Sequence, residues 1–155
     1  TVGSEEKAEL ARAHGYHHVI NYRDEDVAAR VRELTAGAGV PVVYDGIGRD
    51  TFRASLASLQ PRGMLVSFGN SSGKPEPLDL QELAAGGSLY VTRPTLLTYT
   101  ATTEELRASS AAVFARILAG SLRVEINQRF ALADIAAAHI ALEGRATTGS
   151  SVVLP

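Results

Sequence analysis

Helix-forming and strand-forming segments alternate along this chain from one end to the other. Nothing else in the sequence limits the fold as strongly. Thr1 and Val2 are extended-type residues, Gly3 is a turn residue, and residues 4–14 read as a helix with Gly15 as its left-handed stop. HHVINY, residues 17–22, is short and rich in strand formers. Residues 24–39 read as a helix, with Asp24 suited to the N-cap and Val27, Val31 and Leu34 at helical spacing. The acids of this helix lead and Arg30 and Arg32 trail, as the helix dipole favours. VPVVYDGIG, residues 40–48, is an apolar run ending in Asp and Gly, which predicts a buried parallel strand with a turn at its carboxyl end.

The alternation continues. Residues 49–59 predict a helix with Phe52, Leu56 and Leu59 on one face, residues 61–63 a turn, and residues 64–69 another apolar strand. A loop over 70–77 leads to a short helix over 78–87 and a strand over 88–94, stopped by Pro94. The longest helix is expected over 102–121, opened by a capping box of Thr102 and Glu105 and closed at Gly120. A strand over 123–132, a helix over 133–144 and a strand over 150–155 complete the chain. No internal repeat, low-complexity tract or Gly/Ser linker interrupts the pattern. Strands that alternate with helices in this way predict an α/β fold, a parallel sheet with helices on both faces.

Composition narrows the function. A chain of 155 residues is one domain by length and can bury a core. With 15 basic and 17 acidic residues there is no basic stripe to attract nucleic acid. No apolar run is long enough for a membrane span. Cysteine is absent, which removes disulfides, thiol nucleophiles and thiolate-bound metal, and suits a cytoplasmic setting. His14, His17 and His18 cluster near one turn without an H-E-x-x-H pattern, so no metal site is expected. Asp45 before glycine reads as a turn former rather than a general base, and no catalytic residue is assigned.

In open parallel sheets, ligands bind outside the carboxyl ends of the strands. Those ends are Gly3-Ser4, Tyr22-Arg23, residues 45–48, residues 68–71 and residues 93–95. Several carry glycine or small polar residues that let a ligand approach the backbone.

VINYRDED, VVYDGIGRDTF, LVSFGNSSG, GSLYVTRPTL and RATTGSSVVLP lie at or beside these ends. Together they resemble the zeta-crystallin-type NADPH-dependent quinone oxidoreductases of the medium-chain dehydrogenase/reductase superfamily, over essentially the whole chain. The resemblance implies subunits about twice this long. On that basis the chain is expected to be a C-terminal part, with TVGSEEK the tip of a second Rossmann strand and the first strand and glycine loop lying before it. Residues 1–122 would then be a partial NADP-binding Rossmann domain. Residues 123–155 would return, as strand, helix and strand, to a GroES-like catalytic domain. Hydride transfer by these residues alone is expected to be weak or absent.

The resemblance also assigns roles. NAD enzymes place an acid at the second strand's tip to bind the ribose 2′-hydroxyl. Here that position falls at Gly3-Ser4, so a 2′-phosphate meets no carboxylate there. The family's phosphate-holding residues fall on Gly3, Ser4, Lys7 and Tyr22, although Ser4 also reads as a simple N-cap and Lys7 as a solvated cation. Gly46 matches backbone near the adenosine or its phosphates. Phe68, Gly69, Asn70 and Ser71 match the stretch beside the nicotinamide half, and Pro94, Thr95 and Leu96 a second such stretch. Arg145 matches an Arg that reaches the cofactor from the tail. The implied cofactor is NADPH and the implied partner a quinone or other activated carbonyl, without zinc. The implied assembly is a homodimer paired through the edge strand at residues 88–92, where Tyr90 and Val91 suit such pairing. Other readings are an enoyl or alkenal reductase of the same superfamily, a non-catalytic nucleotide-binding module, and an oligomerisation fragment.

Overall fold

A computed structural model describes residues 1–144 and 146–155. Helix α1, Glu5–Ala13, starts where extended Ser4 turns its Oγ back to accept the Lys7 N–H at 3.3 Å. Gly15, at φ 87, ends the turn that follows. Val2 then lies beside the next segment. Its N–H donates to the Ile20 carbonyl at 2.9 Å and its carbonyl accepts from Tyr22 N–H at 3.1 Å. That single parallel bridge, Val2 to Asn21, is all that forms of the strand expected over 17–22. Strand residues need a laddered neighbour, and here only one residue supplies it. Helix α2, Val27–Leu34, is capped by Asp26, whose carboxylate accepts from Ala29 N–H at 2.9 Å. The expected cap, Asp24, is engaged instead by the Asn21 side-chain amide in the preceding turn.

The sheet follows. Strand β1 is Val40–Asp45, helix α3 Phe52–Ala57, strand β2 Leu59–Ser67, helix α4 Leu80–Ala85 and strand β3 Tyr90–Thr92. The strands pair in parallel in the order β1-β2-β3, with Val43 opposite Leu65 and Leu65 opposite Val91. Residues 61–63, expected as a turn, lie inside β2. The strand absorbs them through a register shift, Val40 facing Leu59 while Val42 faces Met64. Arg62 takes φ 62 there, and its N–H donates to the Gly87 carbonyl at 2.8 Å.

Phe52 from α3 packs with Leu59 and Leu65 of β2, and Val40, Val43, Leu56, Leu78 and Leu89 surround them. This core covers one face of the sheet. The expectation that β1 is buried throughout is corrected. Val42 is exposed and Tyr44 is 74% exposed, while Asp45 is buried. Side chains alternate across a strand, and Val42 and Tyr44 lie on the face opposite the core cluster, where they line an open cleft.

The described residues divide into two compact units, Thr1–Thr98 and Tyr99–Pro155. Short helix α5, Leu96–Tyr99, lies at that division. Helix α6, Thr103–Leu118, therefore groups with the C-terminal elements. Its expected capping box is present: Thr102 Oγ1 accepts from Glu105 N–H at 3.2 Å, and the Glu105 carboxylate accepts from Thr102 N–H at 2.9 Å. Strands β4, Ile126–Ala131, and β5, Ser150–Leu154, pair in parallel around helix α7, Ile135–Glu143. No helix among the described residues is long and apolar enough to cross a membrane.

Leu65 is 0% exposed at the centre of the first unit's core. Leu65→Ala should lower unfolding stability by about 2–5 kcal/mol, read from a urea denaturation midpoint. Leu97→Ala, at an exposed site, should change it by no more than about 0.5 kcal/mol.

Candidate functional site

The carboxyl ends of the parallel strands are joined through Asp45. Its side chain is 4% exposed. Oδ1 accepts from the Ile47 N–H at 2.9 Å, the Gly48 N–H at 3.0 Å and Thr51 Oγ1 at 2.8 Å. Oδ2 accepts from Ser55 Oγ at 2.7 Å and from Thr51 Oγ1 at 2.8 Å. Burial pushes this carboxyl up, but the bonds from Ser55, Gly48, Thr51 and Ile47 outweigh it and hold Asp45 below its ordinary value. With these four groups donating to it, the Asp45 carboxylate organises the 46–48 turn. Its hydroxyl partners stand four residues apart, Thr51 just ahead of α3 and Ser55 within it, a spacing that puts both on one face.

The turn after β1 touches the loop after β2. A methyl group added at Gly69 would lie 2.7 Å from the Gly46 carbonyl carbon, so only glycine permits this approach. Phe68 lays its ring against Gly46, whose added Cβ would sit 3.0 Å from Cζ. The Phe68 N–H donates to the Asp45 carbonyl at 2.8 Å. Further out, the Ile47 carbonyl accepts from both the N–H and Oγ of Ser72 at 2.9 Å. The Arg49 N–H closes the loop onto the Gly73 carbonyl at 3.0 Å.

Gly3, Ser4 and Tyr22 gather at a second point, and Lys7 stands one turn into the helix that starts there. The Tyr22 ring lies over Gly3, where an added Cβ would be 2.8 Å from Cζ. Ser4 caps the helix that carries Lys7. Glu5, the first acid of that helix, pairs with Arg12 at 2.7 Å. A cleft of about 280 Å³ connects this point with the first, since Tyr22 and Gly46 both line it. Val42 through Ile47 line it consecutively, so it follows the edge of β1 rather than one face.

The structure thus brings Gly3, Ser4 and Tyr22 into one group, with Lys7 joined to Ser4 through its backbone N–H, and Gly46, Phe68 and Gly69 into another. Asn70 adjoins the second group, with its Cα 3.1 Å from a Cβ built at Gly48. Ser71 lies in the exposed part of the same loop. Pro94, Thr95 and Leu96 follow β3 as a separate stretch, in which Thr95 Oγ1 and Thr98 Oγ1 share a hydrogen bond at 2.9 Å. Arg145 lies outside the described residues. The organising network of Asp45, Thr51 and Ser55 is not among the sequence-derived site residues, although its Asp-then-hydroxyl spacing is legible in DGIGRDTFRAS.

A sequence model described as zinc-binding dehydrogenase matches residues 1–113, and the chain belongs to that family. The quinone oxidoreductase of Pseudomonas aeruginosa is 55% identical over 100% of this chain and 48% of its own length. A 2-haloacrylate reductase from a Burkholderia species is 46% identical over 100% of this chain and 47% of its own. The Escherichia coli quinone oxidoreductase crystallised with NADPH superposes with a TM-score of 0.94, at 48% identity over 99% of this chain and 48% of that one. The chain therefore spans about half the length of these relatives, and its fold is the expected Rossmann-type α/β arrangement. Zinc, named in the family description, does not fit this chain's donor set. There is no cysteine, and no group of three ligating side chains forms among the described residues.

The Asp45 network carries a pH signature. Because its folded value is depressed, its stabilisation is present above the ordinary carboxylate value and is lost as pH falls through the folded one. Asp45→Asn should cost about 1–3 kcal/mol at neutral pH. The gap between variant and parent in urea denaturation should narrow in acid.

Proposed function

We propose that the protein carrying this chain is an NADPH-dependent oxidoreductase that passes a hydride to a quinone. The gathering of Gly3, Ser4 and Tyr22 at one tip, with Lys7 one turn into the helix and Gly3 rather than a carboxylate before Ser4, carries the reading. Because Ser4 Oγ accepts from Lys7 N–H, its own hydroxyl proton is left to donate to a phosphate oxygen. The Lys7 ammonium supplies charge one turn further on, and the Tyr22 phenol a second donor. The NADPH complex of the Escherichia coli relative supports the same choice.

In this reading Gly46 lets the cofactor's adenosine or phosphates approach the backbone. Phe68, Gly69, Asn70 and Ser71 line its nicotinamide half, and Pro94, Thr95 and Leu96 a second side, with Arg145 reaching from the tail. NADPH, when bound, supplies a hydride. The quinone gains that hydride and one solvent proton to become a hydroquinone, so no acid or base of this chain is required. The chain's residues bind and orient, and the β4–α7–β5 segment belongs to the catalytic domain. A reducing cytoplasm suits a cysteine-free chain. A second reading, reduction of an activated carbon–carbon double bond, is favoured by the likeness to the 2-haloacrylate reductase. Turnover of 2-chloroacrylate above that of 1,4-benzoquinone would select it.

Strand β3 lies at the sheet edge with Tyr90 and Val91 exposed. We place the homodimer contact there, since a bare edge accepts another strand.

Two measurements test these assignments on the protein that carries this chain. Lys7→Glu should weaken NADPH binding at least about tenfold, equivalent to about 1.4 kcal/mol, and leave NADH binding unchanged by fluorescence titration. Equal effects on both nucleotides would refute the phosphate role. Tyr90→Lys combined with Val91→Lys should shift the protein from dimer to monomer by light scattering, and an unchanged mass would move the interface elsewhere.

A further inference from the structure

Two arginines staple the sheet of the first unit, one at each end of its strands, and they are built differently. Arg32 serves the amino ends. Its Nη1 donates to the carbonyls of Gly37 and Ala38, both at 3.0 Å, and its Nη2 to those of Ala57 at 2.9 Å and Leu59 at 2.7 Å. Arg93 serves the carboxyl ends. Its Nη1 alone donates to the Ser67 carbonyl at 2.9 Å and the Gly69 carbonyl at 3.1 Å.

Those two carbonyls flank Phe68. One guanidinium nitrogen therefore fixes the chain on both sides of this residue, while the Asp45 carbonyl takes the Phe68 N–H. The Phe68 ring lies against Gly46. Arg93 also immediately precedes Pro94, whose ring fixes φ and whose nitrogen donates nothing. The same side chain thus sets the spacing between residues 67–69 and residues 94–96.

We infer that Arg93 is a positioning residue for the nicotinamide half of the cofactor, acting through Ser67, Phe68 and Gly69; this rests on the cofactor reading above. Arg93 does not touch the 2′-phosphate group of residues, which lies at Gly3 and Tyr22. Loss of Arg93 should therefore affect one end of the nucleotide and spare the other. Arg32 provides the contrast. It binds more carbonyls, so a purely structural role for such staples predicts a larger stability loss at Arg32 and no binding effect at either.

The test uses the protein that carries this chain, with NADPH and adenosine 2′,5′-bisphosphate as ligands, 1,4-benzoquinone as acceptor, and a melting temperature for every variant. Arg93→Ala should raise the NADPH Kd about tenfold and lower kcat, with the bisphosphate Kd unchanged. Arg93→Lys, a cation of shorter reach, should fall between and reads the same split if the alanine variant fails to fold. Arg32→Ala should lower the melting temperature and leave both Kd values alone. Equal weakening of both ligands by the Arg93 variants, or a lower melting temperature with unchanged NADPH binding and kcat, would overturn the role. Failure of the unsubstituted protein to bind either ligand would overturn the cofactor reading and this role with it.

Discussion

Buried Asp45 ties together the loops after β1 and β2, the first through its carboxylate and the second through its main-chain carbonyl, and reaches through one further bond the start of the segment after β3. Directly, it holds Ile47, Gly48, Thr51 and Ser55. Through its own carbonyl it receives Phe68, and Gly69 in turn accepts from Arg93. Removing water from a carboxylate costs several kcal/mol unless donors replace it. Here two backbone amides and two hydroxyls do so, and the balance still favours the ion. The cost is what makes the arrangement specific. A turn that supplied fewer donors would leave a buried charge unsatisfied, so the Ile47 and Gly48 amides must face the carboxylate and the path of the 46–48 backbone is constrained.

That path explains the glycines. With the turn after β1 fixed, Gly69 must pass within contact of Gly46, and any side chain there would meet backbone. The approach in turn brings the Phe68 ring to Gly46. Sequence, turn, close approach and aromatic seat form one chain of causes. A change at Asp45 should be felt at Phe68 without any contact between their side chains.

Much of this was legible in the sequence, for reasons that are local. Ser4 and the Thr102–Glu105 pair announce helix starts because a cap needs an oxygen at a fixed spacing. Small residues at the ends of β1 and β2 announce ligand or backbone approach. What was illegible depends on neighbours. Residues 17–22 have strand composition, yet Val2 alone pairs with them. Residues 61–63 have turn composition, yet β2 carries them in a register shift supported by Gly87. The apolar run in β1 reads as buried, yet Tyr44 is mostly exposed, on the side of the strand away from the core cluster. Arg32 and Arg93 leave no signature at all, because main-chain carbonyls accept from an arginine whatever side chains they carry.

Parallel pairing finally decides why the candidate residues share one end of the first unit. Strands β1, β2 and β3 run the same way, and the Val2–Asn21 bridge is parallel as well. Each strand must therefore deliver its last residue to the same side, whatever that residue is. Tyr22 and Gly46 both line one cleft although they stand 24 positions apart in the chain numbering. Along that cleft Tyr22, which lies over Gly3, stands at one point and Gly46, which seats the Phe68 ring, at another. The two points are held by separate hydrogen-bond sets, Val2 with Ile20 and Tyr22 at one and Asp45 with Phe68 at the other, so each can be altered without the other.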